Sequence, residues 1–162
     1  MKIKIFATGG TFDKEYDPVS QELYLEETHL PEMLQFVRSR LDISIEKIMF
    51  KDSLEMTEED RETMALRCQE IEEDEIVFTH GTDTMTETAK AIAKHNLNKT
   101  IVITGAMIPY KFDGSCALFN LGSALAFVQT LPPGVYISMD GRYFKWDNVR
   151  KNKETGEFEI LK

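Results

Sequence analysis

Apolar residues in this chain fall in short blocks separated by stretches of helical periodicity. Strand-like runs occupy Ile3 to Ala7, Ile43 to Phe50, Glu75 to Thr79, Thr100 to Thr104 and Gly134 to Ser138. The third and fourth are compact apolar blocks, the pattern of strands covered on both faces. Between them the spacing becomes helical: Met64, Cys68 and Ile71 share one face of a helix, and Met85, Ala89 and Ile92 share one face of another. Alternation of this kind predicts an α/β domain of three layers, a mainly parallel sheet with helices on both faces.

Helix starts are marked locally. Thr57-Glu58-Glu59-Asp60 and Thr84-Met85-Thr86-Glu87 each place a carboxylate three residues after a hydroxyl, the spacing of a reciprocally capped first turn. Pro31 reads as a first-turn proline ahead of Met33, Leu34, Phe36 and Val37. Cys116 to Val128 is apolar almost all round, interrupted by Asn120, Gly122 and Ser123, which predicts a largely buried helix or one that also packs on another subunit. Phe12 to Thr28 has no helical period; Asp13, Lys14, Glu15, Asp17 and Glu22 surround Tyr16 and Tyr24 there. It reads as a polar loop or hairpin, either a lid or a solvated connection.

Composition narrows the class of ligand. The 162 residues carry 19 Lys+Arg against 28 Asp+Glu, a formal net charge of -9. A field of that sign argues against nucleic acid or an anionic membrane as partner and leaves small molecules. Cys68 and Cys116 are the only cysteines, lie in apolar-patterned stretches and lack metal-type spacing, so both are expected reduced. The amino terminus passes into a structural motif within a few residues and no apolar stretch reaches membrane-spanning length, which points to the cytoplasm.

The candidate chemistry gathers where strands end. Ala7-Thr8-Gly9-Gly10-Thr11 places a hydroxyl beside two glycines that let a ligand approach the backbone closely. A threonine hydroxyl needs a neighbouring base or a lowered proton affinity to attack a carbonyl, and a glycine pair after a strand is also a common turn. His80-Gly81-Thr82-Asp83-Thr84 opens a helix, so its N–H groups favour developing negative charge, while Thr and Asp there also serve as caps. That segment holds more hydroxyls and carboxylates than one cap requires, and His80 reads as a structural residue at the strand end. Ser53 sits in a turn after another strand; Thr104-Gly105-Ala106-Met107 ends a fourth with small residues; and Lys151 stands in a cationic cluster, Arg150 to Lys153, with a depressed proton affinity if buried.

Taken in order, Ala7-Thr8-Gly9-Gly10-Thr11, His80 to Met85 with Glu87-Thr88-Ala89, and Thr104-Gly105-Ala106-Met107 with Pro109 resemble the hallmark segments of bacterial-type L-asparaginases. The resemblance runs from Lys2 to about Phe158 and concerns the amino-terminal domain of that family. It implies one asparaginase-like domain over residues 1–162, without the carboxy-terminal domain of full-length members, and the closing Asp147 to Asn152 looks most like the short single-domain members. Either the pocket is then completed differently, or activity and specificity are reduced. Ile108 stands where the family often has arginine.

The resemblance also implies roles. Thr11 would be the acylating nucleophile and Tyr16, on the mobile loop, its activating partner, with Tyr24 a possible substitute. Thr82 would be a second essential threonine polarised by Lys151. Asp83 would hold the substrate's ammonium group and Ser53 its α-carboxylate, with Gly10, Gly81 and Ala106 lining the substrate pocket. The implied reaction is hydrolysis of the side-chain amide of L-asparagine to aspartate and ammonia, requiring no metal or cofactor, in a homo-oligomer, a dimer or tetramer. Alternatives are an amidase acting on glutamine or another amide, a non-catalytic aspartate- or asparagine-binding module, and a phosphate or nucleotide binder. The last lacks the glycine spacing of a dinucleotide fingerprint and the lysine of a P-loop.

Overall fold

The computed structural model describes residues 1–161. In chain order the elements are β1 (Lys2–Gly9), a 3-10 turn (Thr11–Asp13), β2 (Glu15–Asp17), β3 (Glu22–Tyr24), α1 (Leu30–Phe36), β4 (Asp42–Lys51) and a second 3-10 turn (Ser53–Glu55). They continue with α2 (Glu58–Glu70), β5 (Glu75–Thr79), α3 (Met85–Ala93), β6 (Thr100–Thr104), α4 (Ala117–Thr130), β7 (Gly134–Met139), β8 (Arg142–Lys145), β9 (Arg150–Lys151) and β10 (Phe158–Glu159). One sheet has the order β4-β1-β5-β6-β7-β8, parallel throughout except for the antiparallel edge strand β8.

The pleat assigns each strand residue to a face. Phe6, Ile76, Phe78, Ile101, Ile103, Ile137 and Met139 pack with Met64, Cys68, Met85, Ala89 and Ile92 of α2 and α3. Ile3, Ile5, Val77, Val102 and Tyr136 pack with Leu30 and Met33 at α1 and with Ala117, Leu121, Ala124, Leu125 and Val128 of α4. This is the expected three-layer arrangement. Full burial of a Phe78- or Ile103-sized side chain contributes about 1.5–3 kcal/mol.

The layers carry an unusual connection. Chain direction and helix face agree in hand for β1-α1-β4, β4-α2-β5 and β5-α3-β6, whereas β6-α4-β7 steps the same way as β5-α3-β6 with its helix on the opposite face. Three crossovers therefore follow the right-handed rule and β6-α4-β7 is left-handed. Coverage accounts for it: α1 is a single short helix, and the long apolar face of α4 is needed to cover Ile3, Ile5 and Val102. To get there, residues 105–116 cross the carboxyl edge of the sheet.

Local expectations fared unevenly. The capping box at Thr57 forms, with Asp60 N–H donating to Thr57 Oγ1 at 3.2 Å and Thr57 N–H to Asp60 Oδ2 at 2.9 Å. The one expected at Thr84 does not form: its hydroxyl makes no bond to the helix's own N–H groups and donates instead to a tertiary acceptor, the Ser53 carbonyl, at 2.8 Å. Pro31 lies in the first turn of α1, as expected, but the helix ends at Phe36 and leaves Phe36 and Val37 exposed. On α4 one face is buried, Asn120 included, while Phe119 remains 62% exposed. The segment after the first glycine turn is a hairpin, β2 against β3. Both cysteines are free thiols; Cys68 is buried and pushed up to about 12 by that burial, and Cys116 is half-buried.

Candidate functional site

In a sheet whose parallel strands follow a flavodoxin-like order, ligands bind beyond the carboxyl ends at the switch point, where neighbouring strands send their helices to opposite faces. Here β1 and β5 part in that way, and the left-handed crossover makes β5 and β6 part likewise. Residues 80–84, which leave β5, thus lie between two such switch points.

Glycine allows the loops at these strand ends to touch. A Cβ on Gly10, whose φ is +76°, would lie 2.4 Å from the Gly81 nitrogen, so the Thr11 turn and the Thr82 turn meet backbone to backbone. A Cβ on Gly81 would lie 2.6 Å from both Cβ and Oγ of Ser53. On the other side, a Cβ on Gly105 would lie 2.4 Å from the His80 carbonyl oxygen and 3.2 Å from Thr82 Cγ2. Four strand ends, those of β1, β4, β5 and β6, therefore share one floor, and Thr11 and Thr82 each follow one of the two touching glycines.

Hydrogen bonds lock this floor. His80 is fully buried; since a carbonyl only accepts, its Nδ1–H donates to Gly81 O at 2.7 Å and its Nε2 accepts from Thr88 Oγ1 at 2.8 Å. Burial, with the Arg61 charge nearby, pushes the imidazole down to about 4, so it is neutral, matching its reading as a structural residue. Asn120 Nδ2 donates to Gly105 O at 2.9 Å and its Oδ1 accepts Asp140 N–H at 3.1 Å, which ties the loops after β6 and β7 to α4. Lys14 Nζ sits 2.6 Å from Asp52 Oδ2 and holds that carboxyl below its ordinary range, bridging the two 3-10 turns. Asn120 had a visible signal in the sequence, an amide in an apolar helix; the Lys14–Asp52 pair and the Thr84 bond to Ser53 had none.

Lys151 arrives from the far end of the chain. β9 and β10 pair Lys151 with Phe158, while Val149 and Phe158 are buried in the α2/α3 core, so the short ladder fixes where Lys151 points. Its Nζ donates to Thr82 Oγ1 and to Asp83 Oδ1, each at 2.8 Å, with the Lys151 side chain 14% exposed. Thr82 Oγ1 also lies 3.5 Å from Met107 Sδ. A cleft of about 660 Å³ opens beside this group, lined among others by Leu54, Asp83, Thr84, Met107, Arg150 and Lys151. Of the residues expected at the site only Asp83 and Lys151 line it; Thr11, Tyr16, Thr82, Ser53, Gly10, Gly81 and Ala106 lie outside that lining.

The remaining candidates differ in exposure. Ser53 is 1% exposed, and its Oγ has no partner within the protein. Ala106 is buried at the end of β6. Thr11 is half-buried. Tyr16 is 50% exposed on the hairpin, where the register Tyr16↔Leu23 and Glu15↔Tyr24 sends the two tyrosines to opposite faces. Among the described residues no three His, Cys, Asp or Glu side chains group as a metal site, and no helix is long and apolar enough to cross a membrane.

A family model described as "Asparaginase, N-terminal" matches residues 2–158. The chain belongs to the asparaginase family. It is 30% identical to L-asparaginase of Thermococcus kodakarensis over 96% of this chain and 49% of that protein, and 31% identical to L-asparaginase 1 of Escherichia coli K12 over 95% and 48%. The solved structure of the thermostable Thermococcus enzyme superposes with a TM-score of 0.87, at 28% identity, over 99% of this chain and 51% of that one. A glutamyl-tRNA(Gln) amidotransferase subunit of Thermoplasma acidophilum is 28% identical over 94% of this chain and 40% of that protein. This asparaginase-family chain spans about half the length of the curated relatives it matches.

Proposed function

We propose that this chain carries the catalytic half-site of an amidohydrolase that converts L-asparagine to aspartate and ammonia through a threonine ester. Thr11 Oγ adds to the side-chain amide carbon, and its proton passes to the departing ammonia. Water then cleaves the ester, restoring the Thr11 hydroxyl and releasing aspartate. Lys151 Nζ, donating to Thr82 Oγ1, makes that hydroxyl the better proton donor and hydrogen-bonding group beside the reacting carbon. Backbone N–H groups around Gly81 and Thr82 supply oxyanion stabilisation, worth about 3–4 kcal/mol per donor in well-studied hydrolases.

Asp83 serves the substrate's ammonium, with one oxygen engaged by Lys151, and Ser53, its Oγ unpartnered, serves the α-carboxylate. Gly10, Gly81 and Ala106 form the close backbone wall. Tyr16 acts on Thr11 from the hairpin, which makes residues 14–28 a lid. The exposed apolar residues Phe119 and Tyr143 favour association into a homo-oligomer.

The observation that carries this reading is the Lys151 ammonium on Thr82 and Asp83, 69 and 68 residues away in sequence, above a floor shared with the Thr11 turn. Ammonia release from L-asparagine by the native chain and by Thr11→Ala tests it. A rate lost in the variant supports the ester route, and equal rates remove it. Glutamine and larger amides assayed in parallel decide the substrate, a choice motivated by the likeness to an amidotransferase component.

A further inference from the structure

Residues 14–28 leave the body of the protein after the Thr11 turn and return to it at α1, and both ends of the excursion are tied at one buried point. Asp13 closes the 3-10 turn that Thr11 begins and is fully buried. Its Oδ1 accepts the His29 backbone N–H at 2.9 Å. His29 precedes α1, whose Leu30 and Met33 are anchored in the core. A carboxylate is an expensive group for this place: burial pushes Asp13 up despite the His29 bond and the neighbouring Thr28 hydroxyl, and its Oδ2 lacks a well-formed hydrogen bond.

Every element around the hinge contributes a charged or titratable group. Glu15 Oε1 of β2 is 3.7 Å from His29 Nε2, and Glu32 Oε2 of α1 is 4.0 Å from His29 Nδ1. Lys111 Nζ sits 2.8 Å from Glu32 Oε2. The Tyr110 ring lies 6.0 Å from that of His29, centroid to centroid, and Tyr110 N–H donates to Phe12 O at 3.1 Å. The hinge is therefore held by four segments, whereas the hairpin beyond it leaves Tyr16 50% and Val19 92% exposed.

We propose that Asp13 is the positioning residue of the hairpin: by gripping the His29 N–H it sets the angle at which the hairpin leaves the Thr11 turn, and so brings Tyr16 to Thr11 when substrate is bound. The inference rests on the roles given above to Thr11 and Tyr16. It explains why a buried carboxylate stands two residues from the nucleophile without entering the chemistry. Because the donor is a backbone group, the identity of the His29 side chain is secondary.

The test is a double-mutant cycle on ammonia release from L-asparagine, with kcat and KM measured separately for Asp13→Ala, Tyr16→Phe and the pair. Asp13→Ala is expected to lower kcat about tenfold to a hundredfold, the range for a misplaced catalytic group, with a smaller change in KM. In the Tyr16→Phe background it adds nothing. Asp13→Asn, whose amide oxygen still accepts the His29 N–H, restores kcat, and His29→Gln retains it. Hydrogen exchange across residues 14–28 rises in Asp13→Ala and not in Asp13→Asn. Should Asp13→Ala not fold, Asp13→Glu displaces the acceptor and carries the same cycle. Effects of Asp13 and Tyr16 that multiply, or Asp13→Asn as impaired as Asp13→Ala, overturn the hinge while leaving the ester route standing. An unaffected Tyr16→Phe removes the hinge with the Tyr16 role, and an active Thr11→Ala removes the parent reading itself.

Discussion

The floor of the site and the hairpin above it are built by opposite means. The floor is backbone against backbone, with Gly10 on Gly81, Gly81 on Ser53 and Gly105 on His80, and the polar groups His80 and Asn120 are buried and paired. The hairpin is two three-residue strands with Tyr16, Val19, Leu23 and Tyr24 exposed, tied to the body near its two ends by the Asp13–His29 bond, by Lys14 on Asp52 and by Lys47 on Glu26 and Glu27. Oxyanion donors and a polarised hydroxyl are useful only when their positions are fixed before substrate arrives, whereas a cover has to admit it. Close packing is therefore concentrated where, in the proposed reaction, charge would develop.

Substitutions that break the floor should have the largest effects. Gly10→Ala puts a methyl group into the Gly81 backbone at a positive φ; overpacking and strain together should cost about 3 kcal/mol or more, seen as a lowered urea midpoint or failure to fold. Lys151→Met leaves the fold but removes the donor to Thr82; kcat for amide hydrolysis should fall about a hundredfold to ten-thousandfold, with unfolding by urea little changed.

The pH dependence of stability tests the floor's neutral imidazole. Unfolded, His80 takes its proton at the ordinary 6.5; folded, only at about 4. The stability this adds is complete above pH 6.5 and is lost as pH falls toward 4, a decline of about 3 kcal/mol at about 1.4 kcal/mol per unit. Urea unfolding between pH 7 and 4 should show that slope in the native chain and a flatter one in His80→Gln. A slope unchanged in the variant would place the titration elsewhere. The smallest effect belongs to the hairpin: Val19→Ser should move stability by under about 0.5 kcal/mol, and a larger loss would mean that the cover is packed as tightly as the floor.

This division also governed what could be read from the sequence. β5 and β6 were legible to the residue, because a strand covered on both faces must be continuously apolar. β8 and the β9–β10 ladder were not, since four- and two-residue strands rich in Arg, Lys and Glu carry no period. The helix at Thr57 announced its cap correctly, while Thr84 carried the same spacing and spent its hydroxyl on Ser53, a partner 31 residues away. Site residues were legible as types at strand ends. Their convergence was legible only through the family resemblance, which put Lys151 on Thr82; the residues' own spacing does not show it, because it depends on which face α4 takes and on a ladder at residue 151, neither of which leaves a local trace.

The reach of Lys151 back to Thr82 has a consequence for how the protein is made. A nascent chain that has emerged as far as Gly105 already holds the three glycines of the floor, yet the Lys151 ammonium that donates to Thr82 has still to leave the ribosome, and so has the ladder that aims it. The contact of Lys151 with Thr82 and Asp83 is thus completed only after residues 150–159 have been made, by which time the floor it stands on is already present in the chain.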